Sequence, residues 1–93
     1  MKYFDWDELK NIRLQAEREV CFEDVIVAIN EGYLLDVVTH PNSTKYPKQQ
    51  IYIVQIREYV FIIPFVEDDE KIFLKTIIPS RRATRKYLKG EQL

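Results

Sequence analysis

Residues 51–66 place the strongest constraint on the fold. They contain two apolar, β-branched runs, residues 51–56 and 59–66, separated only by the Arg-Glu pair at 57–58. Runs of this length and composition are typical of β-strands, and a separation of two residues predicts a tight antiparallel hairpin. The first run is apolar on both faces, as in a central strand, whereas Pro64 predicts that the second lies at a sheet edge or contains a bulge.

The other predicted elements lie on both sides of this hairpin. Strands are predicted at residues 34–39 and 72–78, helices at about 5–18 and 22–30, and a last helix of about ten residues after Pro79. This order predicts an α+β fold with two N-terminal helices, a four-stranded mostly antiparallel sheet that has the helices on one face, and a C-terminal helix. We expect residues 1–93 to form a single domain.

The first predicted helix has a cap and an apolar stripe. Asp5 is the expected N-cap, and Glu8 three residues later completes a box-like arrangement. Leu9, Ile12 and Ala16 fall at i, i+3 and i+7. This spacing predicts that the stripe is the buried face of the helix.

The composition favours a folded core without a metal site. The chain is 46% hydrophobic and 13% aromatic, unlike disordered sequences. With one cysteine, Cys21, and one histidine, neither an internal disulfide nor a metal-ligand cluster is expected, and no cofactor is predicted. Acidic residues near the N-terminus disfavour a signal peptide, and the longest uncharged apolar run, residues 59–66, is too short to cross a membrane. We therefore expect a cytoplasmic protein with no membrane contact.

The net charge of −1 conceals a separation of charge along the chain. Residues 1–36 hold four Lys or Arg side chains against nine Asp or Glu. Residues 75–89 hold six cations and no acidic residue. A basic segment of this kind can steer an anionic partner to one face of a protein that is slightly acidic overall.

A phosphate-binding site is predicted where the last helix begins. A helix N-terminus presents free N–H groups and a partial positive charge, and Ser80 and Thr84 add hydroxyl donors. Arg81 and Arg85 lie at i and i+4, so both can project from one face and hold a phosphate. Lys75, on the preceding predicted strand, can point the same way.

The alternative for this segment is a solvated terminal helix whose cations complement its C-terminal dipole. Arg82 and Lys86 extend the basic surface in either case. Arg81 and Arg82 argue for a ligand, because cations are electrostatically unfavourable at the N-terminal end of a helix.

Two residues are candidates for proton transfer. His40 follows a predicted strand and titrates near neutral pH, although it can equally be a loop histidine before Pro41. Tyr87, on the basic helix, can stack on a base, donate a proton or simply pack. The chain has neither a glycine-rich phosphate loop nor the Gly-x-Ser-x-Gly motif of serine hydrolases.

The order of several short motifs resembles the BrnT family, the toxin half of a bacterial type II toxin–antitoxin pair. The motifs are Phe-Asp-Trp-Asp at 4–7, Phe-Glu-Asp-Val at 22–25, the segment 36–40 and Ile-Pro-Ser-Arg-Arg-Ala-Thr-Arg at 78–85. The last is the most specific and is similar to the family's Ile-Ser-Ala-Arg-Arg-Ala-Thr-Arg ending. The resemblance covers nearly the whole chain.

The resemblance implies a RelE-like fold and a metal-independent endoribonuclease in which a ribose 2′-hydroxyl attacks the adjacent phosphate. It implies three partners: RNA, a ribbon-helix-helix antitoxin and, through that antitoxin, operator DNA. By position, Arg81, Arg85 and Lys75 would hold the phosphate. His40 or Tyr87 would act as the acid–base group.

Two positions depart from the family pattern. The family's Arg-x-His-Gly-Val segment is replaced by Arg-Glu-Val-Cys at 18–21, and Tyr87 stands where the family often has a glutamate. The departures suggest an alternative, a non-catalytic module that keeps the toxin fold and binds nucleic acid or a protein partner. A small structural subunit whose charges only keep it in solution is a third reading.

Overall fold

The computed structural model describes residues 2–39, 42, 44, 45 and 49–90, and it shows a mixed α+β fold. In chain order the elements are β1 Tyr3–Asp5, α1 Glu8–Arg18, α2 Phe22–Asn30, β2 Leu34–Thr39, β3 Gln49–Ile56, β4 Tyr59–Glu67, β5 Lys71–Leu74, β6 Ile78–Pro79 and α3 Arg81–Leu88. The predicted α+β class is confirmed.

The sheet formed by the described residues has six strands, two more than predicted. Five are arranged in the order β1-β5-β4-β3-β2, and β6 pairs with β4 beside them. The pairs are antiparallel except for β1 with β5, which is parallel. The extra strands, β1 and β6, have three and two residues, too few for an alternating pattern to reveal them in sequence.

The central hairpin forms where it was predicted. Ile56 pairs with Tyr59 across the turn. Arg57 has a left-handed backbone (φ 58°), which is unfavourable for a residue with a side chain. Its guanidinium Nη2 donates to the backbone oxygen of Glu19 at 2.6 Å, so the turn is fastened to the end of α1.

Pro64 is not in an edge strand, but a one-residue shift of register lies opposite it, because Phe65 pairs with Leu74 whereas Ile62 pairs with Ile78. Of the two expected features, an edge or a bulge, the structure shows an irregularity of the second kind.

Pro64 is buried in β4, between β3 and β5, and pairs with Ile51. Its carbonyl accepts from the N–H of Lys75 at 2.8 Å, so its nitrogen points to the same side. On that side the predicted strand 72–78 is broken between β5 and β6. The N–H that proline lacks would face the Lys75 carbonyl, which accepts from Lys10 Nζ at 3.1 Å instead.

The helices do not share one face of the sheet as expected. Leu14 and the buried residues of α2 pack against one face, through Tyr52, Val54 and other alternate residues of β3 and β4. The remaining alternate residues, such as Ile53 and Val60, face α3 on the opposite side. Because β3 is apolar on both faces, the sheet is covered by a helical layer on each side.

Helix α1 turns its predicted apolar stripe outward. Leu9, Ile12 and Ala16 are exposed, whereas Asn11 and Leu14 are buried. The reason is a pair of hydrogen bonds to the start of α2, in which the Asn11 side chain donates to Glu23 Oε1 at 2.8 Å and accepts from the Phe22 N–H at 2.7 Å.

The N-cap of α1 also differs from the prediction. It is Asp7 and not Asp5, which belongs to β1. The Asp7 carboxylate accepts from the N–H groups of Leu9 and Lys10.

Candidate functional site

Helix α3 is fastened to β4 by backbone and hydroxyl groups. Ser80 is the N-cap, as predicted, and its hydroxyl oxygen accepts from the Ala83 N–H at 3.0 Å. The N–H of Ser80 donates to the carbonyl of Val60 at 3.0 Å. These bonds fix the first turn of α3 against the sheet, so the side chains of the basic segment have defined directions.

Thr84 is buried, which excludes it from the predicted phosphate site. Only 6% of its surface is exposed. Its hydroxyl donates to the backbone oxygen of Ser80 at 2.7 Å and accepts from the N–H of Val60 at 3.0 Å. The single hydroxyl proton is therefore already engaged. Thr84 joins α3 to β4 instead of binding a ligand.

A groove of about 290 Å³ lies between α3 and the sheet. Its apolar floor comes from the sheet, and α3 forms its basic side. The lining residues are Val38, Ile53, Ile62, Ser80, Arg82, Ala83, Lys86 and Tyr87. The groove combines an apolar surface with two cations, which suits a ligand that has both a flat apolar part and an anionic group.

The cations of α3 fall into two pairs, and the structure places them differently. Arg82 and Lys86 lie along the groove, on the same side of the helix as Ala83. Arg81 and Arg85 are also exposed, but they do not line the groove. At about 100° per residue, the second pair lies on the flank of α3 nearer to Thr84. The groove therefore selects Arg82 and Lys86 as the nearest cations for an anionic ligand.

Tyr87 lines the groove, and its hydroxyl proton is already used in a hydrogen bond. Its hydroxyl donates to Asp36 Oδ2, on the edge strand β2, at 3.0 Å. Burial and then the bonded, negatively charged Asp36 raise the pKa of Tyr87 above its ordinary value. Tyr87 is thus protonated at neutral pH and cannot act as a base. It can give its proton to a ligand only when the bond to Asp36 opens.

The structure does not bring two other predicted residues into the groove. Lys75 lies between β5 and β6, where its backbone oxygen accepts from Lys10 Nζ at 3.1 Å, and it is not part of the groove lining. His40, the predicted acid–base group, lies outside the described residues.

Sequence reasoning missed Asp36 as the partner of Tyr87. The two are 51 residues apart, so no local pattern connects them. The choice between the two cation pairs did have a signal in the sequence. Ala83 and Tyr87 form an uncharged i, i+4 pair, which marks the side of the helix that faces the sheet and hence its neighbouring cations.

The described residues show neither a metal-ligand cluster nor a helix that could span a membrane. Within that part of the chain, no group of three or more His, Cys, Asp or Glu side chains is placed to hold a metal ion. Among the same residues, no helix combines the length and apolar character needed to cross a membrane.

Comparison of the chain with protein-family models, with curated proteins and with solved structures gives no match.

Proposed function

We propose that this chain is a ribonuclease toxin of a bacterial type II toxin–antitoxin pair, with a RelE-like fold that resembles the BrnT family. The observation that carries the proposal is the position of Arg82 and Lys86 along a groove with an apolar floor. Cations one helical turn apart can hold a phosphate between them. The apolar floor offers a surface for the ribose or base of the same nucleotide.

The proposed reaction is metal-independent cleavage of RNA. The 2′-oxygen of a ribose bonds to the adjacent phosphorus and the bond from phosphorus to the next 5′-oxygen breaks, giving a 2′,3′-cyclic phosphate and a 5′-hydroxyl. Arg82 and Lys86 would stabilise the charge that develops on the phosphoryl oxygens.

Proton transfer in this reaction needs an acid and a base. The raised pKa of Tyr87 leaves it the role of the acid that protonates the departing 5′-oxygen. His40 is the proposed base for the 2′-hydroxyl proton.

The partners and location follow from the same proposal. RNA is the substrate, and a cognate ribbon-helix-helix antitoxin neutralises the toxin in the cytoplasm. The antitoxin would connect the complex to operator DNA. A short neighbouring gene for such a protein would support this part of the proposal, and its absence would count against it.

An RNA cleavage assay with matched variants tests the nuclease. We expect the purified chain to cleave RNA in the presence of EDTA. Arg82→Gln with Lys86→Gln should lower the rate by about 100-fold, because each charge-assisted contact is worth about 1.5 kcal/mol or more. The control, Arg81→Gln with Arg85→Gln, removes the same charge from the other flank and should have a much smaller effect.

Two results would contradict the proposal. Intact RNA after incubation with folded wild-type protein would exclude a nuclease that acts alone on that RNA. Equal losses in the two double variants would mean that total charge matters and that the groove does not bind the reacting phosphate.

A non-catalytic RNA-binding module is the second candidate. It is favoured by the bond from Tyr87 to Asp36, which occupies the phenolic proton of Tyr87. It is also favoured by the described lining residues, which include neither histidine nor glutamate. In this case RNA would bind and stay intact. The logarithm of the binding constant would fall with the logarithm of salt concentration by about 0.7 per phosphate contact on a single strand.

A further inference from the structure

The outward face of α1 carries an apolar stripe that no described residue covers. Leu9 is 75% exposed and Ile12 is 61% exposed, and Ala16 continues the stripe one turn further. Single exposed apolar residues are ordinary on protein surfaces. Here three of them follow helical spacing on the side of α1 opposite its buried residues, so they form one continuous surface.

A shallow groove runs beside this stripe. It has a volume of about 420 Å³. Ile12 and Ala16 form one side, and the N-terminal part of α2 forms the other through Cys21 and Glu23. Both walls belong to helices, whose backbone groups are engaged within the helix or at its caps. A ligand must therefore bind through side chains, which favours a second helix over an added β-strand.

Two of the three cations of α1 are turned away from this face. Arg18 donates to the backbone oxygen of Ile77, and Lys10 donates to that of Lys75 at 3.1 Å. Both bonds lead toward the segment between β5 and β6. Arg13, the third cation, makes no such inward bond in the described part of the chain, and four acidic residues of α1 and its caps are exposed. These are Asp7, Glu8, Glu17 and Glu19.

We propose that the outward face of α1 docks a basic amphipathic helix of a partner protein. The partner's apolar residues would cover Leu9 and Ile12, and its Lys or Arg side chains would lie against the acidic flanks. A second copy of this chain fits less well, because pairing of the same face would bring the acidic flanks together. An anionic lipid surface is disfavoured for the same reason.

The proposed docking at α1 is independent of the proposed nuclease activity. Helix α1 lies on the sheet face opposite α3, so a partner on α1 would leave the groove at Arg82 and Lys86 open. Binding to α1 can therefore be measured separately from RNA cleavage, and either proposal can fail alone.

Three labelled peptides of about 18 residues, long enough to form helices, test the proposal by fluorescence anisotropy. The first has a leucine stripe flanked by lysines, the second the same stripe flanked by glutamates, and the third the composition of the first in an order without a stripe. We expect the full chain to bind the first at least about tenfold more tightly than either of the others.

Variants identify the surface. Leu9→Gln with Ile12→Gln should weaken binding of the first peptide by at least about tenfold, and glutamine is compatible with an exposed helix. The matched control is Val27→Gln on α2, an apolar residue that is 53% exposed away from the groove. It should leave binding unchanged. Glu17→Lys provides a second variant. It should weaken binding of the first, lysine-flanked peptide and strengthen binding of the second, glutamate-flanked peptide.

Four outcomes would overturn the proposal. Equal binding of the first and third peptides would show attraction by charge alone, and binding unaffected by Leu9→Gln with Ile12→Gln would place the contact elsewhere. Sedimentation could show a dimer of the chain that this double variant abolishes, in which case the occupant is a second copy. Binding to phosphatidylserine vesicles that the double variant abolishes would assign the face to a lipid surface.

Discussion

Replacing Thr84 with valine tests whether this residue holds α3 to the sheet or binds a ligand. Valine keeps the shape of threonine and removes the hydroxyl that accepts from the Val60 N–H at 3.0 Å. Val60 is fully buried, so its N–H would be left without a partner and without water. The carbonyl of Ser80 loses one of its two hydrogen bonds. It keeps the other, because the backbone N–H of residue 84, which donates to it at 3.0 Å, is still present in the variant.

The expected cost follows from these contacts. An unsatisfied buried donor costs about 1–3 kcal/mol, and the extra buried methyl group returns at most about 0.8 kcal/mol. We expect the free energy of unfolding to fall by about 1–2 kcal/mol in Thr84→Val, which corresponds to roughly 5–15 °C in Tm for a chain of this size.

Urea unfolding of wild-type protein, Thr84→Val and Thr84→Ser, followed by tryptophan fluorescence, measures this cost. The serine control keeps the hydroxyl and should retain the hydrogen bonds. RNA binding should be unchanged in the valine variant as long as it is folded. Unchanged stability combined with weaker RNA binding would refute the structural role. It would indicate that the Thr84 hydroxyl binds phosphate, as the sequence predicts.

Three further predictions concern other contacts. Asn11→Ala should lower the free energy of unfolding by about 1–3 kcal/mol in urea titrations, because the buried N–H of Phe22 loses its acceptor; no change would contradict the account of the inward-turned polar side of α1. Glu19→Gly should raise it by about 0.5–1 kcal/mol, because Glu19 ends α1 in a left-handed conformation (φ 56°) that glycine adopts without strain; a loss would show that the side chain contributes. Burial and Asp36 raise the pKa of Tyr87, so its stabilising effect is full below the ordinary tyrosine pKa of about 10 and is lost as pH rises through the higher folded-state value. Tyr87→Phe should therefore reduce the alkaline loss of stability that urea titrations show above about pH 10, but not abolish it, because burial also raises the pKa of Tyr52. An identical pH dependence in the variant would contradict the shift.

Local signals were sufficient for several elements. Helix α2 has the bounds predicted for it, Phe22–Asn30, because an apolar face, an acidic first turn and a following glycine all lie within a few residues of one another. Strand β2, the turn after Ile56 and the cap at Ser80 were predicted from equally local patterns. In each case the signal comes from residues that are neighbours in the sequence.

The errors arose where a distant contact decides the outcome. The apolar spacing of α1 predicts the wrong buried face, because Asn11 is drawn inward by Phe22 and Glu23 on the next helix. Strands β1 and β6 exist only through pairing with β5 and β4. The side of the sheet that α3 covers was also not readable from its own sequence, since β3 is apolar on both faces and accepts a helix on either.

In the candidate site too, local patterns predicted some features and distant contacts decided the others. Periodicity identified Arg81 and Arg85 as a basic pair one turn apart. It could not show that Arg82 and Lys86 border the groove, because that depends on the packing of Ala83 against the sheet. Hydroxyl chemistry made Thr84 a plausible ligand for phosphate, yet burial and two hydrogen bonds exclude it. The value of a polar side chain as a ligand therefore depends on whether its hydrogen-bonding capacity is already used in the fold.

The separation of charge along the chain becomes a separation across the sheet. Helix α1 and the acidic N-terminal part lie on one face, and the cations of α3 lie on the other. The inward bonds of Lys10 and Arg18 increase the difference, because they remove positive charge from the outer surface of α1. An anionic ligand approaching α3 is thus attracted by nearby cations and separated from most of the acids by the thickness of the sheet. A basic partner at α1 is attracted by the nearby acidic residues and separated from the cations of α3 by the sheet. The two proposed surfaces can therefore be occupied together without electrostatic competition.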